Sequence, residues 1–145
     1  MRHEFLAGER NNVRPIVPFV LLAISLASSQ AAASKLERDE SLATRSLYCA
    51  DVNQYWVTYF AEHDPKNARV TGYRYIGSMF QVVAKELSDD DFVAKERPAA
   101  LQKVNDILDR PESERAGVMD TEAKNCHETF QRQVVPLLLR NKPME

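Results

Sequence analysis

Residues 47–60 read LYCADVNQYWVTYF. This stretch holds one of the two cysteines, the single tryptophan and four further aromatic residues. At helical spacing Leu42, Cys49, Val52, Trp56 and Tyr59 fall on one stripe, with Tyr55 and Phe60 beside it. A helix with so heavy an apolar stripe belongs in a core, and the rest of the chain is expected to cover it. The pattern predicts a first helix over residues 41–62. Arg45 breaks the stripe, but it lies near the helix end, where its long side chain can reach water.

Three more amphipathic segments follow. Asp64 and Pro65 form a helix-start signal, because Asp can cap and proline suits a first helical position. The second helix is expected from there to about 87. Its stripe is Val70, Tyr73, Gly77, Phe80, Ala84 and Leu87. These positions step by threes and fours, which suits bundle packing. Gly72 and Gly77 each cost about 1 kcal/mol inside a helix. Close packing beside a large ring such as Trp56 is the expected compensation. Ser88, followed by three aspartates, starts the third helix, predicted over 89–108 with Ser88 as its cap. Phe92, Val93, Ala100, Val104, Ile107 and Leu108 face inward, and Pro98 is expected to kink this helix or split it in two. The last helix is expected over about 112–139. Met119, Ala123, Cys126, Phe130, Val134 and Leu137 form its stripe, and Pro136 bends or frays its final turn. No segment reads as a strand. The expected fold is all-α, an up-down-up-down four-helix bundle.

The start of the chain has a different character. Arg2, Arg10 and Arg14 precede an apolar run, IVPFVLLAISLA, and then small residues at Ala31 and Ala33. This is the plan of a secretory signal peptide over residues 1–33. The run is too short to span a bilayer, which needs roughly 20 apolar residues. Residues 34–40, SKLERDE, read as a polar flexible leader, and 41–145 as the helical domain. Removal of residues 1–33 takes away three Arg and two Glu, moving the net charge from −2 to −3. That balance gives no electrostatic footprint for nucleic acid or for an anionic membrane. The expected location is periplasmic or secreted, without stable membrane insertion after cleavage.

Two cysteines in an exported chain predict one disulfide, Cys49–Cys126, joining the first and last helices. Helix geometry supports the pairing. Cys49 lies about 20 Å from the end of the first helix at about 1.5 Å per residue, and a last helix starting near Glu112 puts Cys126 about 21 Å in, level with it. A start near Met119 would leave a mismatch of about 9 Å, beyond the ~7 Å Cα limit for a disulfide.

Little in the sequence carries chemistry. The run NCH at 125–127 is not C-x-x-C-H, because position 123 is Ala, so covalent haem attachment is closed. A non-covalent haem needs inward axial ligands. Met79 and Met119 are present, but His127 is one step off the core stripe. His63 with Glu62 and Asp64 reads as a favourable histidine at a helix C-terminus rather than a metal site. The acidic run 89–91 lacks the glycine and distal glutamate of a calcium loop and reads as capping. No catalytic motif is present, and no catalytic, metal or cofactor residue is assigned. The aromatic set Tyr48, Tyr55, Trp56, Tyr59, Phe60, Tyr73, Tyr75 and Phe80 exceeds what one stripe can bury. Tyr48, Tyr55 and Tyr75 are the expected edge residues and the candidate partner-binding set. The reading is a small, exported, non-enzymatic protein that binds another envelope protein, as an inhibitor, immunity protein or stress chaperone does. The alternative is a bundle that holds a small apolar ligand or haem.

Overall fold

The computed structural model describes residues 36–141. The signal-peptide pattern at 1–33 lies outside the described residues. The helices are α1 (Glu40–His63), α2 (Arg69–Glu86), α3 (Asp90–Leu108), α4 (Glu112–Thr129) and α5 (Val135–Arg140), with a π-helical turn at Phe130–Val134. α4, the π turn and α5 follow without a break and form one fourth arm. Among the described residues there is no strand. The four arms make an up-down-up-down bundle with a disulfide between α1 and α4.

α1 is the hub. It packs against α2, α3 and α4. Every residue from 46 to 53 is buried, so the helix is enclosed on all sides through its middle. Around it lie Phe80, Val83, Ala84 and Leu87 from α2 and the residue after it, and Val104 and Ile107 from α3. Met119, Cys126 and Val134 close the core from the fourth arm. The stripes expected on α2 and the fourth arm are the faces that enter this core. Enclosure also buries polar residues that a one-sided stripe would leave in water. Asn53 is satisfied within α1, its Nδ2 donating to the Cys49 carbonyl at 2.7 Å.

The ends of the helices differ from expectation in three places. Residues 36–39 are not a loose leader. Leu36 is buried against the core, and the Asp39 N–H donates to the Leu87 carbonyl at 3.0 Å. The Asp39 side chain caps α1 by accepting from the Leu42 N–H at 2.9 Å. α2 begins at Arg69, not at Asp64–Pro65, because Asn67 supplies a second cap. Its Oδ1 accepts from the Arg69 N–H at 2.9 Å, while its Nδ2 donates to Asp64 at 2.9 Å. α3 is capped by Asp89, which accepts from the Phe92 N–H at 2.8 Å; the Ser88 hydroxyl instead donates back to the Ala84 carbonyl. Of the two outcomes expected at Pro98, a kink or a split, the split does not occur: α3 runs unbroken through it. Both Pro98 and Ala94, whose carbonyl loses its partner, are exposed, so water can satisfy that carbonyl.

The fourth arm meets its proline with the π turn. The Val135 N–H donates to the Phe130 carbonyl, five residues back. This widening, just before Pro136, makes room for the ring where an α-helical turn would clash with it. Gly77 permits the close α1–α2 approach, though not beside Trp56. A Cβ there would lie 3.2 Å from the Asn53 Cβ and 3.6 Å from the Ala50 carbonyl oxygen.

Cys49 and Cys126 are both fully buried, with their Cα atoms 5.4 Å apart. The bond closes a separation of 77 residues. A buried disulfide points to a non-cytoplasmic compartment. No helix among the described residues is long and apolar enough to cross a membrane. The Cys49→Ala/Cys126→Ala protein is expected to lose about 4 kcal/mol of unfolding free energy on the chain-entropy estimate. Urea unfolding of the two oxidised and cysteine-free proteins measures this, and a loss under about 1 kcal/mol would show that packing alone sets α1 against α4.

Candidate functional site

The aromatic residues of α1 gather at the end of the bundle where α1 finishes and α2 and α4 begin. Trp56 is their centre. Phe60 and Tyr73 stack near it at centroid distances of 5.6 and 6.0 Å. Tyr55 and Tyr59 present edges to it at 5.2 and 5.4 Å. Outward along α1 the ladder continues from Tyr55 to Tyr59 at 6.0 Å and from Tyr59 to His63 at 4.3 Å. His63 Nδ1 lies 2.8 Å from the Tyr59 carbonyl oxygen, which fixes the last ring. Trp56 Nε1 is shielded from solvent with no acceptor among the described residues.

The sequence placed Tyr59 on the inward stripe, but it is 37% exposed. The reason is rotation. Tyr59 is ten residues after Cys49 and sits about 80° round a helix of 3.6 residues per turn. Tyr48, expected at the edge, is instead buried at 8% exposure. Its hydroxyl donates to Glu122 on α4 at 3.0 Å, and Arg45 lies over its ring at 5.4 Å. Burial, helped by the Glu122 bond, pushes the Tyr48 hydroxyl pKa up, so it stays a protonated donor. Tyr48 therefore acts inside the bundle and leaves the surface set. Tyr55 is half-buried in the ladder, and Tyr75 is 60% exposed on the outer face of α2, away from it. The structure does not bring Tyr48, Tyr55 and Tyr75 together.

Two of the grooves along α4 border these rings, one beside its first turn and one beside its second half. Between α1 and α4 is one of about 280 Å³, with Tyr55, Tyr59 and His63 on one wall and Glu112 and Arg115 on the other. The Arg115 Nε is shielded and has no acceptor, while its guanidinium donates to the Arg110 carbonyl at 3.2 Å. Between α2 and α4 is a larger groove of about 650 Å³. Its apolar surface comes from Gly72, Tyr73, Ile76 and Ala123. The contact of Phe80 with Phe130, at 5.7 Å, ties α2 to the π turn farther along. Burial raises the hydroxyl pKa values of Tyr55 and Tyr73, which keeps both hydroxyls protonated.

Sequence reasoning noticed Gly72 but gave it the wrong partner. A Cβ there would meet no protein atom within 4 Å, so Gly72 opens a groove and does not pack on Trp56. It had no signal for Arg69 or Ile76, whose roles depend on where α4 sits. His127, judged off the core stripe, lies on the rim of the larger groove. Met119 is fully buried in the core and Met79 partly so. Among the described residues no group of three or more His, Cys, Asp or Glu is placed to hold a metal ion. Cys49 is consumed in the disulfide, and Asp89–Asp91 serve the start of α3.

Among the described residues one ion pair has a buried member. Asp51 on α1 accepts from Arg97 on α3 at 3.0 Å, with the Asp51 side chain 9% exposed and Arg97 41%. The second Asp51 oxygen is shielded and unpaired. Burial raises the Asp51 pKa, and Arg97 pulls it partly back. A folded pKa above the unfolded one means that the native state holds this proton more tightly. The contribution of Asp51 is therefore most favourable below the usual carboxylate value of about 3.9 and is lost as pH rises through the raised folded value. No protein-family model, curated protein or solved structure matches the chain. Arg97→Ala is expected to cost about 2 kcal/mol at pH 7, below the ~3–5 kcal/mol of a fully buried pair because Arg97 keeps contact with water. The loss should be much smaller at pH 3, where Asp51 carries a proton; chemical unfolding at the two pH values checks this, and an equal loss at both would mean the pair acts by packing alone.

Proposed function

We propose that the chain is a small exported, non-enzymatic protein that binds another protein in the cell envelope, as inhibitors, immunity proteins and stress chaperones do. The observation that carries this reading is the half-exposed aromatic ladder Tyr55–Tyr59–His63, backed by Trp56, Phe60 and Tyr73. Tyrosine and tryptophan are the side chains that most often dominate binding energy at interfaces. Here they are already stacked against one another. A partner would thus meet surface that loses little rotamer entropy on binding. The groove beside the ladder adds a concave edge with Arg115 and Glu112 for polar contacts. Export is supported by the N-terminal sequence pattern and by the buried disulfide.

The test uses the oxidised protein as bait on envelope extract. One stoichiometric partner is expected, held at least about tenfold more weakly by the Tyr55→Ala/Tyr59→Ala protein. Tyr75→Ala, on the outer face of α2, should leave that binding unchanged. Recovery of no partner by folded, oxidised bait would contradict the proposal, as would a partner indifferent to the loss of both ladder tyrosines.

A further inference from the structure

The α2/α4 groove has the features of a small-molecule site, apart from the ladder on α1. Its volume, about 650 Å³, lies within the roughly 300–1,000 Å³ of such sites. Gly72 is the first sign of a purpose. A glycine inside a helix is less stable than alanine. At Gly77 the close approach of α1 explains it, but at Gly72 the space for a side chain is empty. The missing side chain leaves the α2 backbone open to a flat molecule in the groove. Tyr73 supplies one wall, held in place by Trp56 at 6.0 Å, and Ile76 and Ala123 complete the apolar surface.

The rim gives the ligand its polarity. Lys124 is ion-paired with Asp120 at 2.6 Å, so these two charges satisfy each other. Arg69 has no carboxylate partner among the described residues. The first turn of α2 carries no acid to offset it. α2 and α4 run in the same direction, so Arg69 and Glu128 mark opposite ends of the groove. A cation at one end and a carboxylate at the other favour a molecule with one acid group, oriented toward Arg69.

We propose that this groove binds a small, flat, apolar acid, with its ring body on Gly72, Tyr73, Ile76 and Ala123 and its carboxylate on Arg69. The site is separate from the outward face of α1 in the protein-binding reading, and the two share only Tyr73, which backs the ladder and walls the groove. The probe is 2-naphthoate, titrated into the oxidised protein by calorimetry and by the fluorescence of Trp56, which reports on the groove through Tyr73. Saturable one-to-one binding is expected. Gly72→Leu, which fills the groove with a better helix former, should weaken it by about tenfold or more. Ala123→Leu should do the same from the facing wall, so that the result does not depend on one variant. Arg69→Gln should weaken 2-naphthoate by about tenfold while leaving the uncharged 2-naphthalenemethanol unaffected. Absence of saturable binding overturns the proposal. So does binding that survives both groove-filling variants in proteins whose thermal unfolding shows them folded. Equal loss of the acid and the alcohol in Arg69→Gln overturns the assignment of the acid to Arg69.

Discussion

Burial of the middle of α1 on every side is the constraint from which the rest of the structure follows. A helix enclosed by three neighbours cannot keep a polar face. Its small residues, Ala43, Ser46, Cys49 and Ala50, allow the close approach, and Gly77 answers them from α2. Of the polar residues caught inside, Asn53 and one Asp51 oxygen find internal partners in the Cys49 carbonyl and in Arg97, while the Ser46 hydroxyl is buried without one. The disulfide then fastens α4 to this enclosed segment at its midpoint, where Cys49 and Cys126 are both fully buried.

The two ends of the bundle differ as a result. At the start of α1, Leu36, Asp39 and Leu87 lock the chain entry to the end of α2. There Phe80 meets Phe130, and the π turn brings Val134 into the core. Toward the other end α4 stands away from α2, and its first turns lie beside the aromatic ladder. Rings fill part of that space and leave the two grooves. Both the proposed protein contact and the proposed ligand site come from this one asymmetry: the fourth arm meets α2 at the π turn and stands apart from it along α4.

Much of this was legible in the sequence. The four helices, the inward faces of α2 and the fourth arm, and the disulfide pairing all follow from periodicity and from the rise of a helix. Helix register predicted that Cys49 and Cys126 would be level, and their Cα atoms are 5.4 Å apart. What periodicity could not give was enclosure. It assigns one buried face to each helix, so it put Tyr48 at the edge and did not foresee buried Asp51 and Asn53. It also carried a stripe straight along α1 to Tyr59, where the helix has already turned that residue outward. Local signals misplaced the start of α2, because Asp64–Pro65 and Asn67 compete as caps a few residues apart and the tertiary position of Arg69 decides. The larger groove depends on the separation of α2 from α4, and Gly72 was its one mark in the sequence.

The most direct test of the account is residue-level backbone hydrogen exchange on the oxidised protein. Amides of residues 47–53 should exchange only through global unfolding, as expected of a segment enclosed by three helices. Amides of residues 116–123, on the part of α4 that precedes the disulfide, should exchange by local opening, at least about tenfold faster. Protection of 116–123 equal to that of 47–53 would contradict the account, because α4 would then be held as tightly before the disulfide as α1 is at it.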